Sequence, residues 1–261
     1  MFDPLKLGEM TIGEIASMAY RATAAEIATV IVQSKALNIR DVANGEEPYH
    51  YSSGFFGPGY VMIKGLVGRQ RAFTFLTRQL ALKLAPTMKD DFIAGLVTGG
   101  LPPSLDVRRY LQELQGREIP WVYIRDARKS GGAKETVTGI IDIATDEPNP
   151  EIPPGSTGAV VEELTNLANS LCNGSKVLRE CGFQCRNGYS ILDYANALAI
   201  EACAEAELNL TCLITLPELL DAAEEAELFP KRLIDDYRWF RRDPGGYGRH
   251  YNLERKEHTR A

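Results

Sequence analysis

Over residues 12–40, Ile15, Met18, Ala19, Ala22, Ile27, Ile31 and Leu37 recur at the three-to-four-residue spacing of one helical face, which predicts a helix there. Thr11 with Glu14 makes a capping box at its start. Residues 48–64 are rich in Gly, Pro, Ser and aromatics and read as loops around a short strand. A second amphipathic stretch, 66–86, predicts a long helix that Pro86 ends. From there, short apolar runs alternate with helical patterns. Strands are expected at 92–97, 122–124, 159–161, 189–192 and 210–214, and helices at 104–114, 171–181, 196–207, 217–226 and 231–241. Between them lie a Gly/Pro turn at 98–103, a charged loop at 125–134 and an acidic, proline-bearing connector at 140–154. Such alternation implies βαβ units and a mainly parallel sheet, an α/β fold.

Composition narrows the function classes. The 261 residues are 44% hydrophobic and 25% charged, which suits one large domain, or one domain with an extension, with a buried core. A net charge of −6 gives no global reason to bind nucleic acid. No apolar run approaches the roughly 20 residues that span a bilayer, and the N-terminus lacks a signal-peptide pattern, so the cytoplasm is the expected compartment. The five cysteines, Cys172, Cys181, Cys185, Cys203 and Cys212, are odd in number and contain no C-x-x-C. They read as buried free thiols in preference to a disulfide framework or zinc site. His50, His250 and His258 form no metal-binding array. The basic tail beyond Arg238 interleaves Trp239, Phe240, Tyr247 and Tyr251, which suits a docked helix with a frayed end better than a nucleic-acid arm.

Four segments carry the candidate chemistry. They are Ser53-Gly-Phe-Phe-Gly-Pro-Gly-Tyr-Val-Met-Ile-Lys64, Gly95-Leu-Val-Thr-Gly-Gly-Leu-Pro-Pro103, Val122-Tyr-Ile-Arg-Asp-Ala-Arg-Lys-Ser-Gly-Gly132 and Gly158-Ala-Val-Val-Glu-Glu-Leu-Thr-Asn-Leu-Ala-Asn-Ser170. In the last, an apolar run ends in two carboxylates, Glu162 and Glu163, before a small-polar loop and a helix. Ligands of parallel sheets bind at such strand ends, where carboxylates can meet ribose hydroxyls or a magnesium complex and loop amides can cradle phosphate.

In order and spacing the four segments resemble the orotate phosphoribosyltransferases, a branch of the type I phosphoribosyltransferases, over about residues 20–248. The resemblance implies a parallel five-stranded core flanked by helices, with a small hood built from the N-terminal region. It divides the chain into a helical extension and hood (1–45), a phosphoribosyltransferase-like core (46–242) and a basic tail (243–261). It implies phosphoribosyl pyrophosphate or a nucleotide and a nucleobase as ligands, Mg2+ carried by the diphosphate with Glu163 as a possible contact, and a homodimer. Thr98, Gly99 and Gly100 match the pyrophosphate loop, whose amides meet a diphosphate. Arg125 and Lys129 match the Arg-x-x-x-Lys pattern of the mobile catalytic loop, and Glu162 and Glu163 match the acidic pair that grips ribose. Asn166, Ala168, Asn169 and Ser170 occupy the 5′-phosphate loop.

The sequence departs from the family where base and phosphate are read. Asn166, Leu167 and Ala168 stand where Thr-Thr-Gly or Thr-Ala-Gly is usual, and only Ser170 keeps its type. Ser52 replaces a lysine, Asp126 a basic residue and Gly131 a histidine. Tyr194 stands where an arginine usually follows Asp193. Tyrosine cannot replace the bidentate charge an arginine offers a carboxylate. The expectation is a base other than orotate, stacked by Tyr60, Phe55, Phe56 and Tyr194. Two alternatives stay open: a non-catalytic nucleotide-binding relative that regulates or scaffolds, and an enzyme of the same fold acting on a nucleotide or modified nucleoside.

Overall fold

A computed structural model describes residues 2–51, 53–125, 136–142 and 144–253. The N-terminal arm departs from the single helix expected over 12–40. Thr11 and Glu14 do form a capping box, but they start a helix, α1, of only Ile12–Ala16. The chain then turns and restarts at a second capping box, Thr23 with Glu26, as α2, Ala24–Gln33. Side chains far away in sequence hold the break open. The Arg78 Nε donates to the Met18 carbonyl (2.8 Å), and Gln79 both accepts from Ala22 N–H (2.8 Å) and donates to the Tyr20 carbonyl (3.0 Å). Peptide groups satisfied in this way need no helix.

The hood follows. β1, Leu37–Ile39, pairs antiparallel with β4, Gly59–Val61, and between them β2, Tyr49–His50, pairs with β3, Phe56–Gly57. A 3₁₀ turn over Ile63–Gly68 leads into α3, Gln70–Leu84, whose side chains are buried along most of its length. The core then unfolds in βα order: β5, Phe92–Leu96; α4, Leu101–Gln115; β6, Trp121–Ile124; β7, Val137–Thr138; β8, Thr157–Thr165; α5, Asn169–Glu180; β9, Gln184–Asp193; α6, Ala197–Glu205; β10, Asn209–Thr215; α7, Leu216–Glu225; α8, Lys231–Arg242. The chain continues into α9, Pro244–His250, where Asp243 caps the first turn through Gly246 N–H (2.7 Å).

The central sheet has the order β10-β9-β8-β5-β6-β7, with the first five strands parallel and β7 an antiparallel edge. It is the helix-flanked parallel sheet expected from the alternation, with one edge strand more. One face packs on α3, α4 and α7 through Ile93, Val107, Tyr110, Val161 and Leu219; the other packs on α5 and α6 through Phe92, Val160, Leu171, Leu178 and Cys203. Close approach requires glycine in α5, where a methyl at Gly174 would press on Leu96 (2.6 Å). The hood is sealed by the C-terminal helices, not by the N-terminal region alone. Phe240 and Tyr237 of α8 lie where side chains at Gly57 and Gly59 would be, and Tyr247 of α9 is fully buried.

Candidate active site

Strand order reverses between β5 and β8: the chain leaves β5 through α4 toward β6 on one side, and leaves β8 through α5 toward β9 on the other. At such a switch point the loops at the carboxyl ends of the strands splay apart and leave a crevice. The turn after β5 and the turn after β8 form its two walls.

The first wall is backbone. The Val97–Thr98 peptide is cis. Gly100 N–H donates to the Leu96 carbonyl (2.9 Å) and Leu101 N–H to Thr98 (3.4 Å), and Pro102 and Pro103 in the first turn of α4 offer no N–H. Of the three residues expected to present N–H groups, Gly100 spends its own inside the turn. Gly100 is buried, and a methyl there would fall on the Val161 carbonyl and within 2.9 Å of the Leu96 N and O. A methyl on Gly99 would fall on the Glu163 carboxylate.

The second wall begins inside a strand. β8 runs through Thr165, paired with β9 at Glu162–Ser190, Leu164–Leu192 and Thr165–Asp193, so the carboxylates lie within the ladder and not beyond its end. Alternation therefore sends them to opposite faces. Glu163 turns to Gly99, and its buried Oε2 meets no hydrogen-bond partner among the described residues. Glu162 lines a cavity of about 250 Å³ with the loop from Leu164 to Leu171. The two carboxylates thus lie against different loops.

That cavity is closed by the start of α5. Ala168 takes left-handed backbone (φ 58°) at the N-cap, contributes no side-chain cap, and accepts from Cys172 N–H (2.9 Å). The first-turn N–H groups from Asn169 onward therefore have no capping side chain and open toward the loop with the positive end of the helix. Asn166, Asn169 and Ser170 are exposed, Leu167 is 37% exposed, and Ala168 is buried. Thr165, which the sequence reading passed over, is 2% exposed and its Oγ1 has no partner among the described residues.

Tyr60 and Tyr194 come together beneath the hood, joined by Tyr49 (5.2 Å from the Tyr60 ring) and Tyr51. Tyr194 is bonded to Tyr237, and burial raises its phenol above the usual range. Phe56 stacks instead on His50 (4.4 Å), and Phe55 packs against the core. Arg241, missed in the sequence because it lies on α8, donates from Nη2 to the Tyr194 carbonyl (2.5 Å). It sits beside Asp193, whose carboxyl burial pushes upward. Arg125, at the end of β6, donates its N–H to the Thr136 carbonyl (2.9 Å) and leans on Tyr123. Lys129, Ser52, Asp126 and Gly131 lie outside the described residues. Among the described residues no cluster of His, Cys, Asp and Glu is arranged to hold a metal alone, and no helix is long and apolar enough to cross a membrane. Cys185 and Cys203 are buried as expected, but Cys181 is exposed at the end of α5.

No family model matches the chain. Among curated proteins it is similar to the orotate phosphoribosyltransferase of Jannaschia, 27% identical over 217 residues, covering 81% of this chain and 87% of that protein. It is also similar to that of Listeria monocytogenes, 22% identical over 225 residues, covering 86% and 98%. Among solved structures, Leishmania donovani UMP synthase superposes with a TM-score of 0.64 at 18% identity over 84% of this chain, which spans only 42% of that protein. The orotate phosphoribosyltransferase of Aeropyrum pernix superposes with a TM-score of 0.58 at 22% identity, covering 78% of this chain and 99% of the other. By sequence the chain is similar to orotate phosphoribosyltransferases, and its fold is that of the type I phosphoribosyltransferases.

Proposed function

We propose that the chain moves a 5-phosphoribosyl group between pyrophosphate and a ring nitrogen of a nucleobase other than orotate, at ribose C1. The observation that carries this reading is the meeting of Glu163 with Gly99, which puts an unpartnered carboxylate oxygen against the turn suited to diphosphate. The amides of Thr98 and Gly99 hold the diphosphate. Glu163 and Glu162 favour the positive charge that develops on ribose as the C1–O bond to pyrophosphate breaks and the C1–N bond forms. The base loses its ring proton as it bonds. Asn166, Asn169 and Ser170, with the uncapped start of α5, hold the 5′-phosphate; Arg125 and, by its match to the Arg-x-x-x-Lys pattern, Lys129 neutralise charge on the departing diphosphate, and Tyr60 and Tyr194 flank the base. Magnesium fits this donor set as a companion of the diphosphate, with Glu163 Oε2 free to receive it or one of its waters. When bound, it would neutralise charge on the leaving group.

Calorimetry with phosphoribosyl pyrophosphate and magnesium, followed by pyrophosphate release with a panel of bases including orotate, tests the reading. Failure to bind sinks it, and turnover with orotate as the best base overturns the specificity. A second reading, binding without catalysis, draws on Leu167, an apolar side chain exposed where the phosphate loop would offer a hydroxyl. Tight binding without turnover in the same assay favours it.

A further inference from the structure

The cysteines of α5 and α6 lie against each other behind the phosphate loop. The Cys172 thiol, in the first turn of α5, packs against the cluster that holds the buried Cys203 thiol of α6, and the two thiols interact. It also approaches the carbonyl of the neighbouring Ala202 (3.5 Å). Cys172 is half-buried, so a small oxidant can reach it. The same residue donates its N–H to Ala168 (2.9 Å), the left-handed residue on which the loop turns. A pull on the Cys172 sulfur is therefore transmitted to Ala168 through one helical turn.

We propose that Cys172 and Cys203 are a reversible oxidation site whose disulfide draws the start of α5 toward α6 and distorts the loop from Asn166 to Ser170. With hydrogen peroxide as oxidant, the Cys172 sulfur takes the proximal oxygen as the O–O bond breaks, giving a sulfenic acid and water. The Cys203 sulfur then attacks that sulfur, the S–O bond breaks, and a second water carries away the Cys203 proton. Two thiols and one peroxide give one disulfide and two waters. Burial raises both thiols, Cys203 to about 11, so little thiolate is present near neutrality and the pair stays reduced until peroxide accumulates. The bond stands on the packing of the two helices; its effect on ligand rests on the phosphate reading of the loop.

The test treats the full chain with hydrogen peroxide, alkylates the remaining thiols, maps the peptides by mass spectrometry and follows amide hydrogen exchange over 166–172. The expected result is a peptide pair joined through Cys172 and Cys203, lighter by the two lost hydrogens, reversed by dithiothreitol and absent from Cys172→Ser and Cys203→Ser. Exchange over 166–172 quickens in the oxidised protein, and phosphoribosyl pyrophosphate binds about fivefold more weakly. No cross-link while exposed Cys181 is oxidised overturns the proposal, as does a cross-link that leaves exchange unchanged or the affinity intact. If the reduced protein does not bind phosphoribosyl pyrophosphate at all, the functional reading falls, while the cross-link and the exchange still decide this one.

Discussion

In the turn after β5, a methyl added at Gly99 or Gly100 falls on an existing atom; in the turn after β8 the chain has no glycine between Glu162 and Cys172 and leaves a cavity of about 250 Å³. The first turn is backbone packed to contact, with its carboxylate neighbour already folded onto it. The second is side chain and space, ordered by an alanine in a conformation alanine disfavours. A diphosphate, with charge spread over several oxygens, suits bare amides held rigidly. A terminal phosphate tolerates a looser cradle, because the uncapped helix start supplies part of the field. The difference separates a wall fixed by packed backbone from one fixed by side chains.

The sharpest way to break the comparison is to separate the carboxylates. Glu163→Gln removes the charge at the wall proposed for the diphosphate and is expected to lower turnover by about 10²-fold, the scale of losing one preorganised electrostatic contact. Because it also removes an unpartnered buried carboxylate oxygen, the variant should melt at or above the wild-type temperature. Glu162→Gln lies on the other face and should weaken ribose 5-phosphate binding while leaving pyrophosphate binding unchanged. Calorimetry with each ligand checks both, and equal losses for the two variants would mean that the acidic residues act as one grip.

Next in size are the glycines. Gly100→Ala drives a methyl into the Val161 carbonyl and the Leu96 backbone, which cannot yield, and should cost about 2–3 kcal/mol in urea unfolding. Gly99→Ala meets first the end of the Glu163 side chain, which can swing away. It should cost about 1 kcal/mol or less in stability and yet weaken pyrophosphate binding more than tenfold, since the displaced carboxylate and the new methyl both enter the anion's place. A large stability loss at Gly99 with normal binding would make that turn a structural joint.

Much of this was legible in the sequence because it is local. The βα alternation, the Thr11–Glu14 capping box and the Gly-Gly-Leu-Pro-Pro turn are read within a few residues of one another. What escaped is set by distant partners. The break after α1 depends on Arg78 and Gln79, and nothing within residues 17–22 announces it except the second capping box at Thr23. β8 continues through polar Glu162–Thr165 because the β9 ladder satisfies its backbone, so an apolar run of three marked only the middle of a nine-residue strand. Arg241 reaches Tyr194 across 47 positions, a juxtaposition that strand and helix periods do not encode.

The smallest effect tests the looser wall directly. Ala168 holds φ 58° and is buried, so its methyl is carried in left-handed backbone at the point where the loop enters α5. An L-residue pays about 1–2 kcal/mol there that glycine does not, while glycine loses more chain entropy on folding. The balance predicts that Ala168→Gly stabilises the protein by about 0.5–1 kcal/mol, read as a shift in the urea midpoint without a change in slope. The variant should also bind ribose 5-phosphate a few-fold more tightly, because glycine at this turn lets the Asn169 and Ser170 amides close on the anion without left-handed strain. A destabilised Ala168→Gly would mean that contacts of the Ala168 methyl, and not the approach of an anion, fix the shape of this loop.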